Sequence, residues 1–337
     1  MTEMTVLNGV AIEELLTIPM AVEAVEQAYL EKSKGDAALW PMVFHEFDPG
    51  HADLDIKSGD LGGLGFYGLK VVSWFGANPG KGLPALYGTS LLFDLATGAP
   101  RALLNASPIT DFRTGAAGAI GAKYLARPDA ETLLMAGTGA LAPYLIAATL
   151  YLLPQIKTVY VTNPHHPECS AAVCEAITPQ VEKLLSGCGV CHAAIAAAPD
   201  LEKAVRHSDV ILTATPAREP FIKAKWVQPG THISCVGADM SGKQEVDSAL
   251  FASAKVFGDD TAQCLSVGEC EVPYKAGVFS GHICEIGGVI SGAEAGRTDA
   301  SDITIFDSTG IALQDIATAA ALLQAAQETG KGQTVTL

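Results

Sequence analysis

A glycine-rich segment that directly follows an apolar run carries the most specific chemical pattern of the sequence. Gly137-Thr138-Gly139-Ala140-Leu141-Ala142 comes after the run 132–136 and opens a helical pattern, so it has the form GxGxxA of a dinucleotide-binding turn. Gly137 permits the tight turn, Gly139 lets the backbone approach a pyrophosphate, and Ala142 allows close packing of helix on strand. The amides at the start of the helix face the anion. We therefore predict a bound dinucleotide here; the alternative is a plain structural turn.

The residue at the end of the second strand of such a fold determines whether NAD or NADP is preferred. An acidic side chain there binds the ribose hydroxyls and repels a 2′-phosphate. In Val161-Thr162-Asn163-Pro164-His165-His166 that position is Asn163. Asparagine can bind a ribose without repelling a phosphate, and His165 or His166 could contact a phosphate, but no arginine is nearby to clamp one. We predict NAD, and NADP stays open.

Three cationic side chains in the first part of the chain could bind a carboxylate. They are Lys57, Lys70 and Arg113, each in a mostly uncharged setting. Lys70 lies within an apolar strand pattern, where an ammonium is unfavourable without an anionic partner. The alternative for Lys70 is a strand-edge lysine that extends to water. For Lys57 the alternative is a surface ion pair with the flanking Asp55 and Asp60.

A carboxylate in the second part of the chain could handle a proton. Asp239 follows the apolar run 232–236 and lies among glycines, at the carboxyl end of a strand, where doubly wound sheets bind ligands. Hydride transfer at the α-carbon of an amino acid needs a cation for the carboxylate and a group for the imine's proton. We predict that Asp239 handles that proton and that it converges with the cations beside the nicotinamide. The alternative is an Asx-turn residue that shapes the loop.

Composition sets the class of protein. The chain has 337 residues, of which 49% are hydrophobic and 17% charged, which excludes a disordered protein and gives room for two cores. A formal net charge of −16 argues against nucleic acid or an anionic membrane as partner, since either would need a basic face. The N-terminus lacks the regions of a signal peptide, and the longest apolar run, 141–153, is too short to span a bilayer. We expect a cytoplasmic protein.

The cysteines give no sign of a disulfide framework or a metal site. Eight of them are scattered along the chain, which fits reduced thiols. Cys188-Gly189-Val190-Cys191-His192 formally matches the haem-attachment pattern CxxCH. Haem attachment requires export, and no second CxxC completes a zinc site. We interpret the segment as a turn at Gly187 that leads into a buried strand over 190–194.

The order of the elements indicates an α/β fold in two lobes. After a helix that begins near Pro19, strands over 68–74, 89–93 and 102–105 are linked by short turns, which is typical of a mostly antiparallel sheet, and a helix over 110–126 follows. Strands over 132–136, 158–161, 190–195, 210–214 and 232–236 then alternate with helices over 140–152 and 167–185. This alternation predicts a Rossmann-type parallel sheet with helices on both faces. A strand over 303–306 and a helix over 311–326 close the chain, and we expect that helix to return to the first lobe.

Read in order, these segments resemble the ornithine cyclodeaminase/mu-crystallin family. The matching blocks are 68–72 with 78–79 and 82–84, 110–114, 137–140, Gly237-Ala238-Asp239-Met240-Ser241-Gly242-Lys243-Gln244-Glu245, and Thr304-Ile305-Phe306-Asp307-Ser308-Thr309-Gly310-Ile311-Ala312-Leu313-Gln314-Asp315. The resemblance implies a homodimer. It also implies an α+β substrate-binding and dimerisation domain, 1–125 together with 311–337, and a Rossmann NAD(P)-binding domain, 126–310.

The resemblance also implies roles for residues. Lys70 and Arg113 hold the substrate carboxylate, and Asp239 matches the catalytic aspartate of the family, so Asp239 and Lys70 are the expected catalytic residues. The expected cofactor-binding residues are Arg113, Thr114, Gly137, Thr138, Gly139, Ala140, Leu141, Asn163, His165, Thr215, Gly237, Asp239 and Ser308.

One departure from the family pattern concerns the substrate pocket. Many members carry an arginine shortly after the proline that is Pro41 here, whereas this chain reads Pro41-Met42-Val43-Phe44-His45. We expect Lys57 or His45 to replace it as a carboxylate ligand. Asn163-Pro164-His165 and Val267-Gly268-Glu269-Cys270 resemble the branch that contains iminosuccinate reductases.

The function predicted from these residues is that of an NAD(P)-dependent imine reductase or amino acid dehydrogenase. The imine of a small 2-oxo acid is reduced to the amino acid, or the reverse reaction occurs. Two alternatives stay open. One is a cyclodeaminase that recycles its cofactor and releases ammonia, and the other is a non-catalytic, crystallin-like nucleotide-binding protein.

Overall fold

The protein divides into two compact units in a computed structural model that describes residues 2–190 and 193–337. Unit 1 is Met1–Arg113 with Ile311–Leu337, and unit 2 is Thr114–Gly310. The first division falls at 113/114, inside a continuous helix, whereas the predicted domain boundary lies at the end of that helix. The last division, at 310/311, coincides with the start of the returning C-terminal segment.

The elements of unit 1 are the strands β1 (Glu3–Leu7), β2 (Ala37–Leu39), β3 (Val43–Asp48), β4 (Ala52–Leu61), β5 (Phe66–Phe75), β6 (Leu86–Asp94), β7 (Pro100–Asn105) and β16 (Gln333–Thr336), and the helices α1 (Gly9–Leu15), α2 (Ile18–Lys34) and α10 (Ala312–Thr329). Helix α3 (Ala106–Leu125) contains the change of unit. The elements of unit 2 are the strands β8 (Thr132–Ala136), β9 (Thr158–Thr162), β10 (Ala194–Ala197), β11 (Val210–Thr213), β12 (His232–Cys235), β13 (Lys255–Gly258), β14 (Cys284–Glu285) and β15 (Thr304–Asp307), and the helices α4 (Ala142–Leu152), α5 (Ser170–Leu185), α6 (Leu201–Arg206), α7 (Thr261–Val267), α8 (Glu271–Lys275) and α9 (Ile286–Ser291).

Unit 1 is a mostly antiparallel sheet with helices packed against it, as the sequence predicts. The strands are ordered β16-β1-β7-β6-β5-β4-β2, with β3 paired to β4. Among the described strand pairs of unit 1, only β1–β7 is parallel. Two glycines let α10 lie close to the sheet. A Cβ on Gly59 would come within 3.1 Å of Leu313, and one on Gly68 within 3.4 Å of Ile316. The helix therefore covers the face of the sheet on which these glycines lie.

Unit 2 is the predicted Rossmann-type sheet. Its strands are ordered β10-β9-β8-β11-β12-β15-β13-β14, and every neighbouring pair is parallel. The central strands are buried on both faces, and their apolar residues Leu134, Ile211 and Ile305 have no exposed surface. The strand order runs outward in one direction from β8 and in the other from β11. The carboxyl ends of these two strands therefore form the topological switch point, where such sheets bind ligands.

Two predicted elements differ from the structure. The strand predicted over 190–195, of which 190–194 was expected to be buried, is β10 (Ala194–Ala197). None of the residues of β10 is buried, because it lies at the edge of the sheet with β9 as its neighbour. Cys191 and His192 of the CxxCH segment lie outside the described residues. Helix α5 begins at Ser170, after a short 3-10 turn over Pro167–Cys169, and not at Pro167. Within the described ranges, none of the helices is both long and apolar enough to cross a membrane.

Candidate active site

The carboxyl edge of the parallel sheet in unit 2 gathers most of the predicted cofactor-binding residues. Loops that leave parallel strands emerge at the same edge of the sheet. The residues follow β8 (Gly137, Thr138, Gly139, Ala140 and Leu141), β9 (Asn163 and His165), β11 (Thr215), β12 (Gly237 and Asp239) and β15 (Ser308). Arg113 and Thr114 lie instead on α3, and both are largely buried.

The glycine loop has the geometry that a pyrophosphate requires. Gly137 has a φ of +128°, and a Cβ there would lie 2.4 Å from the carbonyl oxygen of Ala214, so only glycine fits. A Cβ on Gly139 would meet no atom within 4 Å, so the space beside the backbone is open. Leu141 precedes α4 and makes no side-chain cap, but the amide of Ala142 donates to the carbonyl oxygen of Gly139 at 3.1 Å and Pro143 has no N–H group. A pyrophosphate would therefore lie against the open backbone at Gly139 and would meet few free amides of the helix. These residues fit a dinucleotide.

Asn163 shapes its own loop. Its side-chain oxygen accepts hydrogen bonds from the backbone N–H groups of His165 and His166, both at 3.0 Å. Its Nδ2 donates to the hydroxyl of Thr138 at 3.0 Å, which ties the end of β9 to the glycine loop. The side-chain oxygen is therefore already used, and a bound ribose would meet an amide N–H here and no carboxylate. His165 lies exposed, with its ring edge-on to Phe221.

Thr215 is held by a buried glutamate that the sequence analysis did not single out. Both the amide and the hydroxyl of Thr215 donate to Glu245, each at 2.7 Å. The other carboxylate oxygen of Glu245 accepts from Thr213 Oγ1 at 2.7 Å and from the amide of Gly237 at 2.9 Å. Burial raises the pKa of Glu245 to about 7 despite these bonds. Glu245 therefore joins the ends of β11 and β12, and the polar groups of Thr215 are engaged by the protein itself.

Asp239 lies in the loop after β12, as predicted, and its side chain is 55% exposed. The carboxylate pairs with Lys243 Nζ at 2.5 Å. It thus forms an ion pair rather than the Asx turn considered as an alternative. An exposed carboxylate with one cationic partner can exchange protons with a ligand and with solvent.

Lys70 and Arg113 meet at one buried carboxylate in unit 1. Lys70 is 2% exposed and Arg113 6%, which rules out the lysine that extends to water. Lys70 Nζ lies 2.9 Å from Asp315 Oδ1 on α10, and Arg113 Nε lies 3.2 Å from the same oxygen. Arg113 also donates to Gln314 Oε1 at 2.9 Å, and Gln314 donates to the hydroxyl of Tyr29 at 2.7 Å. Two cations thus share one carboxylate oxygen of Asp315.

The charges of this cluster perturb one another. Burial first, and then repulsion by Arg113, lowers the pKa of Lys70 to about 8, although Asp315 opposes the shift. Burial alone would raise the pKa of Asp315, but Arg113 and Lys70 lower it below its usual value, so this carboxyl is ionised. The excess of positive charge in an apolar setting favours the binding of a second carboxylate.

The register of the sheet places Lys57 with this cluster and separates His45 from it. Lys57 lies directly opposite Lys70 in the pair β4–β5, and opposite residues share a face of the sheet. His45 lies opposite Leu54, and Leu54 and Lys57 point to different faces because side chains alternate along β4. His45 is also exposed, on a strand with no buried residue. We therefore drop His45 as the substitute for the missing arginine.

Asp315 and Gln314 are functional candidates to which the sequence analysis gave no role, although both lie in a block that carried the family resemblance. Both are buried on α10, between the apolar Leu313 and Ile316. An acid in an apolar helical stretch was the available signal. Residues 2–190 and 193–337 contain no group of His, Cys, Asp and Glu that could hold a metal ion.

Comparisons with known proteins cover nearly the whole chain and indicate one family. The sequence model of the ornithine cyclodeaminase/mu-crystallin family matches residues 2–330. An archaeal alanine dehydrogenase dimer with bound NAD is 35% identical, with a TM-score of 0.87 and 99% of each chain covered. The iminosuccinate reductase of Paracoccus denitrificans in complex with NAD+ is 31% identical, with a TM-score of 0.89 and 99% of this chain and 100% of that chain covered. The Δ1-pyrroline-2-carboxylate reductase of Thermococcus litoralis in complex with NADH and L-proline is 31% identical, with a TM-score of 0.87 and 98% and 100% covered.

Proposed function

Because this chain belongs to the ornithine cyclodeaminase/mu-crystallin family, we propose that it moves hydride between NAD and the α-carbon of a small amino or imino acid. The protein is an NAD-dependent oxidoreductase that acts on C=N or CH–NH2 groups. The imine of a 2-oxo acid is reduced to the amino acid, or the amino acid is oxidised to the imine. Bound NADH supplies the hydride, and NAD+ accepts it.

The cluster of Lys70, Arg113 and Asp315 is the observation that carries this proposal. Every amino or imino acid has a carboxylate, and the two buried cations share one protein anion, with Lys57 opposite Lys70 on the same face. A substrate carboxylate would bind where positive charge is in excess and water is largely excluded. We assign Lys70 and Arg113, with Lys57 beside them, to that carboxylate.

Asp239 is the residue to which we assign the proton. Reduction of an imine leaves an amine, and the nitrogen must take up a proton. Asp239 pairs with Lys243 and lies in a loop at the ligand-binding edge of the parallel sheet. Asp239 can therefore take up a proton from solvent and, as the neutral carboxylic acid, give it to the α-nitrogen, which leaves the carboxylate. In the oxidation the same group takes the proton away.

The cofactor is held by the loops at the carboxyl edge of unit 2. Gly137 and Gly139 admit the pyrophosphate, and Asn163 lies where the adenosine ribose would bind. Because residue 163 is an asparagine and not an acid, it would not repel a 2′-phosphate, so NADP is the second candidate cofactor after NAD.

A turnover assay with a panel of substrates tests the proposed reaction. Small 2-oxo acids are mixed with ammonia or methylamine and NADH, and the near-ultraviolet absorbance of reduced nicotinamide is followed. We expect a net loss of this absorbance with at least one substrate. Ammonia release from a diamino acid without net cofactor change would instead identify a cyclodeaminase. Nucleotide binding without turnover on either panel would favour the crystallin-like alternative.

The assembly that we propose is a homodimer formed through unit 1. Five large apolar side chains around β3, namely Trp40, Met42, Val43, Phe44 and Phe47, are each between 40% and 56% exposed. Apolar surface of this kind marks protein interfaces. The archaeal relative is a dimer. We therefore assign substrate binding and dimerisation to unit 1 and dinucleotide binding to unit 2.

We further propose that the protein works in a reducing compartment such as the cytoplasm. The seven cysteines that the structure describes are all free thiols, which supports this proposal.

A further inference from the structure

The loop that carries Asp239 is an arch from Gly237 to Gly242 that is held at both ends by carboxylates. We call this segment the Asp239 arch. Asp239 itself is exposed and has Lys243, the residue just beyond the arch, as its charged partner. Its position therefore depends on the backbone of the arch and on whatever fixes that backbone.

The first end of the arch is fixed by Glu245. This carboxylate accepts a hydrogen bond from the amide of Gly237 at 2.9 Å, and a Cβ on Gly237 would lie 2.6 Å from the carboxyl carbon of Glu245. The backbone of Glu245 is held in turn by Glu269, which accepts from the amides of Glu245 and Val246 at 2.9 Å and 2.6 Å. Glu269 belongs to the segment 267–270 that the sequence analysis singled out, and the proposed reaction gives it no role.

The second end of the arch is fixed by Glu271, the first residue of α8. Its side chain is 2% exposed and accepts from Ser241 Oγ at 2.5 Å and from the amide of Gly242 at 2.7 Å. Gly242 has a φ of +80°, so the turn that is held is one that only glycine adopts readily. Lys275 forms an ion pair with Glu271 from the exposed side.

The charge on Glu271 suits this role. Burial alone would raise the pKa of this carboxyl, but the bonds from Lys275, Ser241 and Gly242 lower it below its usual value. An ionised carboxylate accepts at both oxygens and makes stronger hydrogen bonds than a neutral group. Arg218 adds a weaker contact, from Nη1 to the carbonyl oxygen of Ser241 at 3.3 Å.

We propose that Glu271 is a positioning residue, which holds Ser241 and Gly242 so that Asp239 stays aligned for proton transfer. The inference rests on the proposed role of Asp239 in the reaction. Glu271 does not touch the substrate; it acts through the backbone of the Asp239 arch. Small displacements of a reacting group are costly, since a shift of about 1 Å can reduce a rate by about 100-fold.

Glu271→Met tests the proposal, because methionine has a similar length and cannot accept either hydrogen bond. We expect kcat to fall by about 10- to 100-fold, with KM, NAD affinity and melting temperature little changed. Glu271→Gln should restore most of kcat, since its amide can accept from Gly242 and donate to Ser241. Lys275→Met is the matched control. It removes the ion pair, leaves both bonds to the arch in place, and should keep kcat near that of the wild type.

A double-variant cycle with Asp239→Asn separates positioning from a general structural effect. If Glu271 acts through Asp239, adding Glu271→Met to Asp239→Asn should cause no further loss of kcat. Ser241→Ala changes an exposed residue and removes one of the two hydrogen bonds between Glu271 and the Asp239 arch. It provides the same test if Glu271→Met does not fold. We expect it to lower kcat to a smaller extent, again with unchanged KM.

Specific results would overturn the inference. Wild-type kcat in both Glu271→Met and Ser241→Ala would do so, as would losses that add fully to that of Asp239→Asn. A Glu271→Gln variant with the melting temperature of the wild type and the low kcat of Glu271→Met would also do so. Wild-type kcat in Asp239→Asn itself is a different failure, because it would remove Asp239 from the proposed reaction whatever Glu271 does.

Discussion

Lys70 holds a positive charge where the surroundings disfavour one. It is fully enclosed in unit 1, and its ammonium depends on the carboxylate of Asp315. Arg113 competes for the same oxygen of Asp315, so the carboxylate neutralises only part of the charge. A substrate carboxylate would complete the neutralisation. Substrate binding and the protonation of Lys70 should therefore be linked.

This linkage predicts a pH dependence. The pKa of Lys70 is lowered to about 8, so in the free enzyme the ammonium loses its proton as the pH rises through that value. We expect kcat/KM for the imino acid to fall above about pH 8, because kcat/KM reports ionisations of the free enzyme. In Lys70→Arg the charge persists at high pH, so the activity that remains should lack this alkaline limb.

Comparison of the wild type with Lys70→Arg excludes a different cause of such a pH profile, which is deprotonation of the substrate. Deprotonation of the substrate imine would give the same limb in the wild type and in Lys70→Arg. An unchanged limb in the variant would therefore contradict the assignment to Lys70. Lys70→Met serves as the second control, and it should raise KM strongly at every pH.

The sequence predicts part of this cluster and not the rest. An ammonium buried within an apolar strand requires an anion, so the interpretation of Lys70 as a buried cation predicted a partner, whereas the alternative of a lysine that extends to water did not. The identity of that partner did not, because Asp315 is 245 positions away in the sequence and reaches Lys70 only when α10 packs on the sheet. The same holds for Glu271, whose role depends on how α8 packs beside the loop after β12.

At the scale of elements, the strand β3 combines full exposure with large apolar side chains. All of its residues are exposed, and it pairs with the first half of β4, whereas β2 pairs with the last residues of β4. Its residues run Val43-Phe44-His45-Glu46-Phe47-Asp48, and because apolar and polar residues do not alternate strictly here, no period of two marked the segment as a strand. Such an apolar strand at the edge of a sheet is usually protected by a partner.

Substitutions in β3 test the proposed dimer. Phe44→Glu and Phe47→Glu together should convert the dimer into a monomer at micromolar concentration, because they place two charges in an apolar interface. Sedimentation equilibrium measures the mass directly. Val335→Glu is the control, since Val335 is an exposed apolar residue on β16, at the opposite end of the same sheet. A monomeric wild-type protein, or a dimer that resists both changes, would contradict the proposal.

At the scale of the whole chain, the sequence predicts unit 2 better than unit 1. The alternation of strands and helices after Glu131 permits few topologies, and the observed sheet is the expected parallel one. Unit 1 is built from distant segments: β1 pairs with β7 and with β16, the latter contributed by the C-terminus. Local patterns do not encode such pairings, and so β1, β2, β3, β4 and β16 were not predicted.

The most direct test of the proposed function follows the hydride itself. NADH deuterated at the transferable position of its nicotinamide ring is incubated with the protein, an amine and the 2-oxo acid that gives turnover, and the amino acid is analysed by mass spectrometry. We predict one deuterium at the α-carbon of the product for each NADH consumed. A product without deuterium would contradict net hydride transfer as the function of this protein. Release of ammonia from a diamino acid without net formation of NADH, in a parallel incubation with NAD+, would contradict it as well.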